Sequence, residues 1–596
     1  MTATTLPDSG TDRRRAIRLD LVVALLLALV LSVGWAIHDW PRLSRMLLPD
    51  LDDMMRLAQV RDWLAGQGIN DWTQYRVAPP HGAPMHWSRI NDFGIAGLIL
   101  AAAPFVGRAH AELFAVLTYP ALLFVCAIFL SARIGRRLWQ PGGGPVAAVL
   151  TALAFPGTTV FIPGRIDHHA LQVVLIQLVV LALMRAPTLA SGAMAGLATA
   201  VSLVVGLETA PQLAALIGVM ALLWTVRGVD ERMRLAGFGG ALVLVTLGFI
   251  VFLRPTLWTA VYCDAFTPAS STGTLLVGGA FGALAALSPR LATWRSRLAS
   301  GALLGAAALG ATMALYPSCL NGPYGAVDPF LRRAFLPFIG EAIGLFHQSG
   351  IALIVSMGGL SVAACVAIIW AMVRERRRWA ELLPLSAVVG VSALVTLFQV
   401  RAAYIGAPLA APLLAGWVVA ARQRKSWQMP AVILAWLAGA GMAYFQLGQY
   451  LESAFGRAPA EAGKPTPPVV CSGGGAWAQV DRYPPGVTMA STTLAPYLIG
   501  ATHHSTVGAG YHRNNDGNMA MYRFFLSPPD RARAIERLWN THYVAFCPGD
   551  FSEIDVTHAY PDSLATQLQS GRPPAWLVPL PLSGTPLRFY RILPQP

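Results

Sequence analysis

Three carboxylates stand within four residues in the run Asp50, Leu51, Asp52, Asp53, Met54, Met55, Arg56. Crowded together they repel one another, and a divalent cation with oxygen ligands is the simplest compensation. The plainer reading is a helix start, with Asp50 or Asp52 capping a helix that runs to Leu64. A second cluster, Arg165, Ile166, Asp167, His168 and His169, joins two strongly apolar stretches. Ionisable groups at a membrane surface are costly unless they are used. Asp167 and His169 pair a carboxylate with an imidazole, which suits Mn²⁺ or Zn²⁺ as well as Mg²⁺. Simple capping by solvated side chains is the alternative.

Single charges follow at the ends of apolar runs: Glu208 in a tight turn, Glu341 after Ile339 and Gly340, and Arg401 after Val400. Arg401 suits a phosphate, because a guanidinium stays charged and binds bidentately. Taken singly, each serves equally well as an interfacial ion-pair partner. The stretch 75–89, with His86, Trp87, Ser88 and Arg89, is polar and aromatic enough to line a sugar or acceptor site. Its aromatics serve equally well as headgroup anchors. Near the C-terminus, His503, His504, Tyr511, His512 and Arg513 offer acceptor contacts or an ordinary surface loop.

The elements that must position these residues are membrane helices. Of the 596 residues, 55% are hydrophobic and only 12% charged, half the charge of an ordinary soluble domain, with a mean hydropathy of +0.52. Apolar runs of bilayer-crossing length place spans at 17–38, 111–134, 146–163, 168–186, 191–207, 210–227, 234–253, 272–289, 298–315, 350–373, 380–399, 404–421 and 428–447. Residues 93–106 are apolar but short, and read as an interfacial helix. The first run is too long for a signal-peptide core and reads as a retained anchor. The net charge of +14 reports topology and not nucleic acid. Its arginines cluster at 13–15, 133–137, 227–234, 290–297, 374–378 and, with Lys425, at 422–425, in short links, as cytoplasmic segments require. With the N-terminus in the cytoplasm, thirteen crossings put residues 448–596 outside.

The organisation that follows is a transmembrane domain over 1–447 with a long first outer loop, 39–110. A linker at 448–469, rich in Pro, Ala and Gly, leads to an outer α/β domain over 470–596. Cys263 and Cys319 fall in outer loops, and Cys471 and Cys547 in the outer domain. An oxidising exterior permits one disulfide in each pair, while Cys126 and Cys365 lie in apolar helices.

This layout, with an Asp-x-Asp in the first outer loop and the motif Asp167-His168-His169, resembles the catalytic subunit of oligosaccharyltransferases. Those enzymes belong to the GT-C superfamily of polyprenol-dependent glycosyltransferases. The resemblance covers 17–447 in layout and rests on short motifs in sequence. It implies an all-α polytopic GT-C membrane fold carrying a C-terminal extracytoplasmic α/β domain. It also implies an inverting enzyme that moves a sugar or oligosaccharide from a polyprenyl-(di)phosphate carrier to a lipid, polysaccharide or protein acceptor. The setting is the outer, periplasmic face of the inner membrane. Asp52, Asp50 and Glu341 are then the expected catalytic residues. Asp52, Asp167, His169 and Glu341 would hold Mg²⁺ or Mn²⁺, and Arg401, Arg56, His86, Arg89, Tyr511, His512 and Arg513 would bind substrate. The family's Trp-Trp-Asp acceptor motif is absent; the polar stretch in the C-terminal domain is 510–516. A transporter or flippase is the rival reading. It predicts ionisable groups near mid-membrane and repeated halves, whereas the polar motifs here gather at one face and no repeat is visible.

Overall fold

Long apolar runs with few charges satisfy their backbone polar groups only as helices when lipid surrounds them, and helices dominate the chain. The computed structural model describes residues 10–423, 428–455, 471, 473 and 475–594. Most of the expected linker, and Arg424 and Lys425 of the last basic cluster, lie outside the described residues. Residues 448–455, expected in that linker, instead extend the helix Gly441–Phe455.

Among the described residues, eight helical stretches are long and apolar enough to cross a membrane. A ninth arises if Gln428–Gly439 and Gly441–Phe455, bent by 81°, count as one span. The expected count of about thirteen differs for a local reason. Three expected spans form the shorter helices Gly143–Ala152, His169–Met184 and Leu189–Val205. Two more join into the 43-residue stretch Ala210–Phe252, interrupted by a tight 3-10 turn at Gly228–Glu231. Helices His169–Met184 and Arg401–Arg422 are buried on nearly every side, so both lie inside the bundle.

Two of the arginine clusters, 133–137 and 374–378, meet at one end of these helices. Arg133 and Arg136 pair with the buried Asp20, and Arg137 and Arg378 pair with Glu381. The acidic and histidine motifs come together at the other end.

There the first loop folds into the helix Leu51–Leu64, a small hairpin of β1 (Thr73–Gln74) and β2 (Ala83–Pro84), and the helix Ile90–Val106. The C-terminal domain carries a five-stranded mixed sheet of β3 (Val487–Ala490), β4 (Ser505–Thr506), β5 (Tyr543–Phe546), β6 (Leu577–Leu580) and β7 (Arg588–Ile592), in the order β4-β3-β5-β7-β6. β3 runs parallel to β4 and β5, and β7 runs antiparallel to β5 and β6.

This domain packs directly on the first loop. Its helix Ala495–Ala501 lies against Leu51–Leu64, and the approach is close enough to need Gly500, where a Cβ would sit 2.8 Å from the Met54 carbonyl oxygen. Arg76 donates to the carbonyls of Thr502 and His504, and Arg61 donates to Gly500 O at 2.6 Å. The domain is therefore fixed over the end of the bundle where the polar motifs lie.

Both disulfides that the sequence permits are formed, Cys263–Cys319 and Cys471–Cys547. The second closes a 76-residue separation and ties the entry of the C-terminal domain to the end of β5. Replacing both cysteines with serine should lower stability by about 2–4 kcal/mol. Thermal unfolding of the detergent-solubilised protein checks this: without reductant the double variant should melt below the wild type, and added reductant should lower the wild-type midpoint by more than that of the variant, which keeps only Cys263–Cys319.

Candidate active site

The helix Leu51–Leu64 begins at Asp50, whose extended backbone and side chain make it the N-cap, accepting from Asp52 N at 3.0 Å. Asp50 also pairs with Arg165 at 2.5 Å. The sequence placed Asp50 among the catalytic groups; the structure employs its carboxylate in capping and in holding Arg165. Asp53 is fully buried, and its Oδ1 accepts from the backbone N–H groups of Ile166 and Asp167, both at 2.9 Å. Burial pushes the Asp53 carboxyl up to about 7, against the pull of Arg165 and with the push of Asp50 and Asp167. Of the three acids, Asp52 alone is left to face the cluster formed by Asp167, His169 and Glu341. Burial first, then Asp50, Asp167 and Glu341, hold its carboxyl well above the usual range.

The corner before Asp167 turns at Gly164, where φ is +90°. A side chain there would be strained, and its Cβ would meet Pro49 Cδ at 2.8 Å. This turn delivers Asp167 to the end of the interior helix His169–Met184, where Asp167, His168 and His169 are all buried. Asp167 Oδ1 lies 2.6 Å from His168 Nδ1 and 3.3 Å from Arg56 Nη2. Its Oδ2 is buried with no hydrogen-bond partner among the described residues, and lies 3.4 Å from His169 Nε2. His169 Nε2 is in turn 3.7 Å from Glu341 Oε2, and Glu341 Oε1 is 3.5 Å from Arg401 Nη2.

Burial opposes ionisation of Asp167, but the adjacent histidines and Arg56 hold it well below the usual carboxylate range. Glu341 behaves in the same way: burial is outweighed by Arg401 and His169, which bring it to about 2. His168 is different. Burial disfavours its charge, but Asp167 and Glu208, the latter 3.3 Å away, raise it to about 10. Asp167, His168 and His169 each offer one ligand atom, and these atoms lie within 4.8 Å of one another.

Of the four expected metal residues, Asp167, His169 and Glu341 form a chain of contacts at 3.4 and 3.7 Å, and Asp52 lines the same cavity as Glu341. Three carboxylates and one imidazole, with an unpartnered buried carboxylate oxygen among them, fit a divalent cation.

Two expected substrate-binding arginines are placed elsewhere. Arg56 is fully buried; it donates to Asp92 Oδ1 at 3.1 Å and to Asp167, and lies 4.4 Å over the Trp87 ring. Arg89, also buried, donates to Asp92 Oδ2, Gln59 O, Gln67 Oε1 and Asp71 O. Both guanidiniums are consumed in holding the loop and Asp167, so they position the site from behind. Trp87 neither anchors at headgroups nor lines an open groove. It is 2% exposed and touches Arg56, His168 and Tyr511, which makes it the packing centre between loop, corner and C-terminal domain.

Tyr511 is buried beside Trp87, and burial together with the Asp52 and Asp50 carboxylates raises its phenol well above the usual value. His512 and Arg513 both pair with Asp264, at 2.6 Å each. His86 stands 5.2 Å from the His512 ring, centroid to centroid. Burial first, with His512 next, lowers the His86 imidazole to about 3.

Residues the sequence reading passed over include Asp92 and Asp264. For Asp92 a signal existed, a carboxylate three residues after Arg89 at the start of an apolar helix, where a charge needs a partner. For Asp264 there was none, since its partners His512 and Arg513 lie far away in sequence. Asp52, Arg165, Glu341, Tyr404 and Tyr511 border a cavity of about 1370 Å³ between the helix bundle and the C-terminal domain.

This architecture matches solved structures of archaeal oligosaccharyltransferases across almost the whole chain. The Archaeoglobus fulgidus oligosaccharyltransferase AglB, in complex with an inhibitory peptide and a dolichol-phosphate, superposes with a TM-score of 0.66 at 14% identity, over 98% of this chain and 75% of that one. The chain has the GT-C fold. The A. fulgidus oligosaccharyltransferase in complex with Zn and sulfate matches the same fold with a TM-score of 0.59 at 13% identity, over 89% and 68%. The form tethered to an acceptor peptide with an NVT sequon matches at 0.61 and 13%, over 97% and 74%. No family model matches the sequence, and none of the curated proteins matches it. In the GT-C fold observed here, Asp52, Asp167, His169, Glu341 and Arg401 gather beneath the C-terminal domain.

Proposed function

We propose that the chain is an inverting GT-C glycosyltransferase, which moves a sugar or oligosaccharide from a polyprenyl-(di)phosphate carrier to an acceptor at the outer face of the inner membrane. The N-terminus and the arginine clusters then lie in the cytoplasm, and the C-terminal domain in the periplasm. The observation that carries the reading is the convergence of Asp52, Asp167, His169 and Glu341 beside Arg401, at one end of the bundle and at the edge of the large cavity. A transporter would place its charges near mid-membrane; these gather at helix ends.

A polyprenyl phosphate is already a good leaving group, so the work is positioning and charge stabilisation. Arg401 grips the phosphate as negative charge builds there. Asp52 orients the acceptor nucleophile and takes its proton. A divalent cation such as Mg²⁺ or Mn²⁺, held by Asp52, Asp167, His169 and Glu341, supplies further positive charge against the leaving phosphate. Trp87 and Arg56 keep Asp167 aimed, and the C-terminal domain covers the cluster and excludes water. The dolichol-phosphate and peptide bound by the archaeal neighbours support a lipid-linked donor. The acceptor is a nucleophile on a periplasmic lipid, polysaccharide or protein.

The test is transfer of labelled sugar from polyprenyl-linked donors into a membrane-plus-periplasm extract. Wild type should label an acceptor; unchanged transfer by Asp167→Ala would sink the reading. Arg401→Ala should cut transfer by about 10²- to 10³-fold. Arg401→Lys should restore only part of it, because a point charge does not replace a bidentate fork. Initial rates across donor concentration check both.

A further inference from the structure

His86, Asp264 and His512 come from three segments far apart in the chain: the first loop, the 254–271 loop and the C-terminal domain. One donor atom from each lies within 4.8 Å of the others. His512 Nε2 stands 2.6 Å from Asp264 Oδ2. His86 Nδ1 is buried and has no hydrogen-bond partner among the described residues. An unpartnered buried polar atom costs about 1–3 kcal/mol, and one aimed at a carboxylate–imidazole pair calls for an explanation.

The surroundings have the form of a ligand shell. Arg513 donates through Nη2 to Asp264 Oδ1 at 2.6 Å and through Nε to Oδ2 at 3.2 Å. The same arginine is fixed by Met85 O at 3.2 Å and by the Tyr262 ring at 4.1 Å. Outer partners of this kind orient a ligating carboxylate, and each carboxylate oxygen keeps a lone pair beyond these bonds. On its other side His512 is braced by the Tyr324 ring, 5.1 Å away. A cavity of about 400 Å³ opens onto Asp264 and His512, which provides an entry path.

We propose that His86, Asp264 and His512 bind a divalent transition-metal ion of the Zn²⁺ class, at a site that shares no ligand with the Asp52, Asp167, His169 and Glu341 cluster. Two imidazoles and one carboxylate form a borderline-soft set that favours Zn²⁺ over the oxygen-seeking Mg²⁺ and Ca²⁺. Three protein ligands leave a fourth position for water from the cavity. Such an ion clamps the first loop, the segment anchored by Cys263–Cys319, and the C-terminal domain in one place.

The experiment uses the full-length protein in detergent, stripped with chelator and titrated with Zn²⁺, with bound metal counted by elemental analysis. His86→Gln and His512→Asn should each bind one equivalent fewer than wild type. Asp167→Ala should retain that equivalent, and Asp167→Ala combined with His512→Asn should lose both. Equal Zn²⁺ in wild type, His86→Gln and His512→Asn would overturn the proposal. So would loss of one and the same equivalent in Asp167→Ala, His512→Asn and their combination. If a variant folds poorly, wild-type protein alone decides: Zn²⁺ should shield His86 and His512 from an imidazole-modifying reagent, read by peptide mass. Unshielded His86 and His512 at saturating Zn²⁺ count against the site.

Discussion

Replacing Asp52 with Asn is expected to cut sugar transfer by about 10³-fold or more, while the protein keeps its fold. Asp52 is the one acid of the first-loop triplet that is not committed to structure. Asp50 caps the helix and pairs with Arg165, and Asp53 binds two backbone N–H groups. Loss of a general base alone removes about 10²- to 10⁴-fold, and the same substitution alters a proposed metal ligand. Asp50→Ala provides the contrast: loss of about 1 kcal/mol of stability through its missing cap, with transfer reduced only a few-fold. Initial rates with a labelled polyprenyl-linked donor, beside thermal unfolding of the same preparations, separate the two effects. Equal loss of transfer in both variants would mean that the triplet acts as a unit and that Asp52 has no special role.

Arg56→Met carries the largest expected structural effect, a destabilisation of about 3 kcal/mol or more. The Arg56 side chain is completely buried and divides its guanidinium between Asp92 and Asp167. Removing one partner of a buried ion pair leaves an uncompensated charge, which costs about 3–5 kcal/mol. Asp92 keeps Arg89, and Asp167 keeps His168, so the lower end of that range applies. The double variant Arg56→Met/Asp92→Asn should be less destabilised than the sum of its single changes, because the second removes the charge that the first orphaned. Unfolding midpoints in detergent measure all three. Simple additivity would show that Arg56 and Asp92 do not stabilise one another. Transfer should also fall in Arg56→Met, since Asp167 loses the group that aims it.

The membrane class and most helix positions were legible in the residues, as was the gathering of the acidic and histidine motifs at one end of the bundle. Lipid forces backbone polar groups into helices, so apolar run length reports the spans almost directly. That link is local. It worked well for Arg108–Leu138 and Ile351–Arg374, and less well at Gly143–Ala152, which is shorter than a span, and at Ala210–Phe252, where a 3-10 turn joins two expected spans. The motifs Asp52, Asp167-His168-His169, Glu341 and Arg401 were visible because charges at apolar helix ends are costly and therefore conspicuous. The cysteine pairs were legible too, since each pair shared one region of the chain.

What only the tertiary structure decided was which of these charges are spoken for. Sequence spacing places Asp50, Asp52 and Asp53 equally near the chemistry; the N-cap, the Arg165 pair and the Ile166–Asp167 backbone take two of them. Arg56 and Arg89 read as substrate-binding residues until Asp92 supplies a buried partner for both. Trp87 became the centre of the site through contacts with residues 31, 81 and 424 positions away. His512 found Asp264, 248 residues earlier. The strength of a buried charge depends on its partners and its dehydration, and both are long-range properties that a linear sequence does not carry.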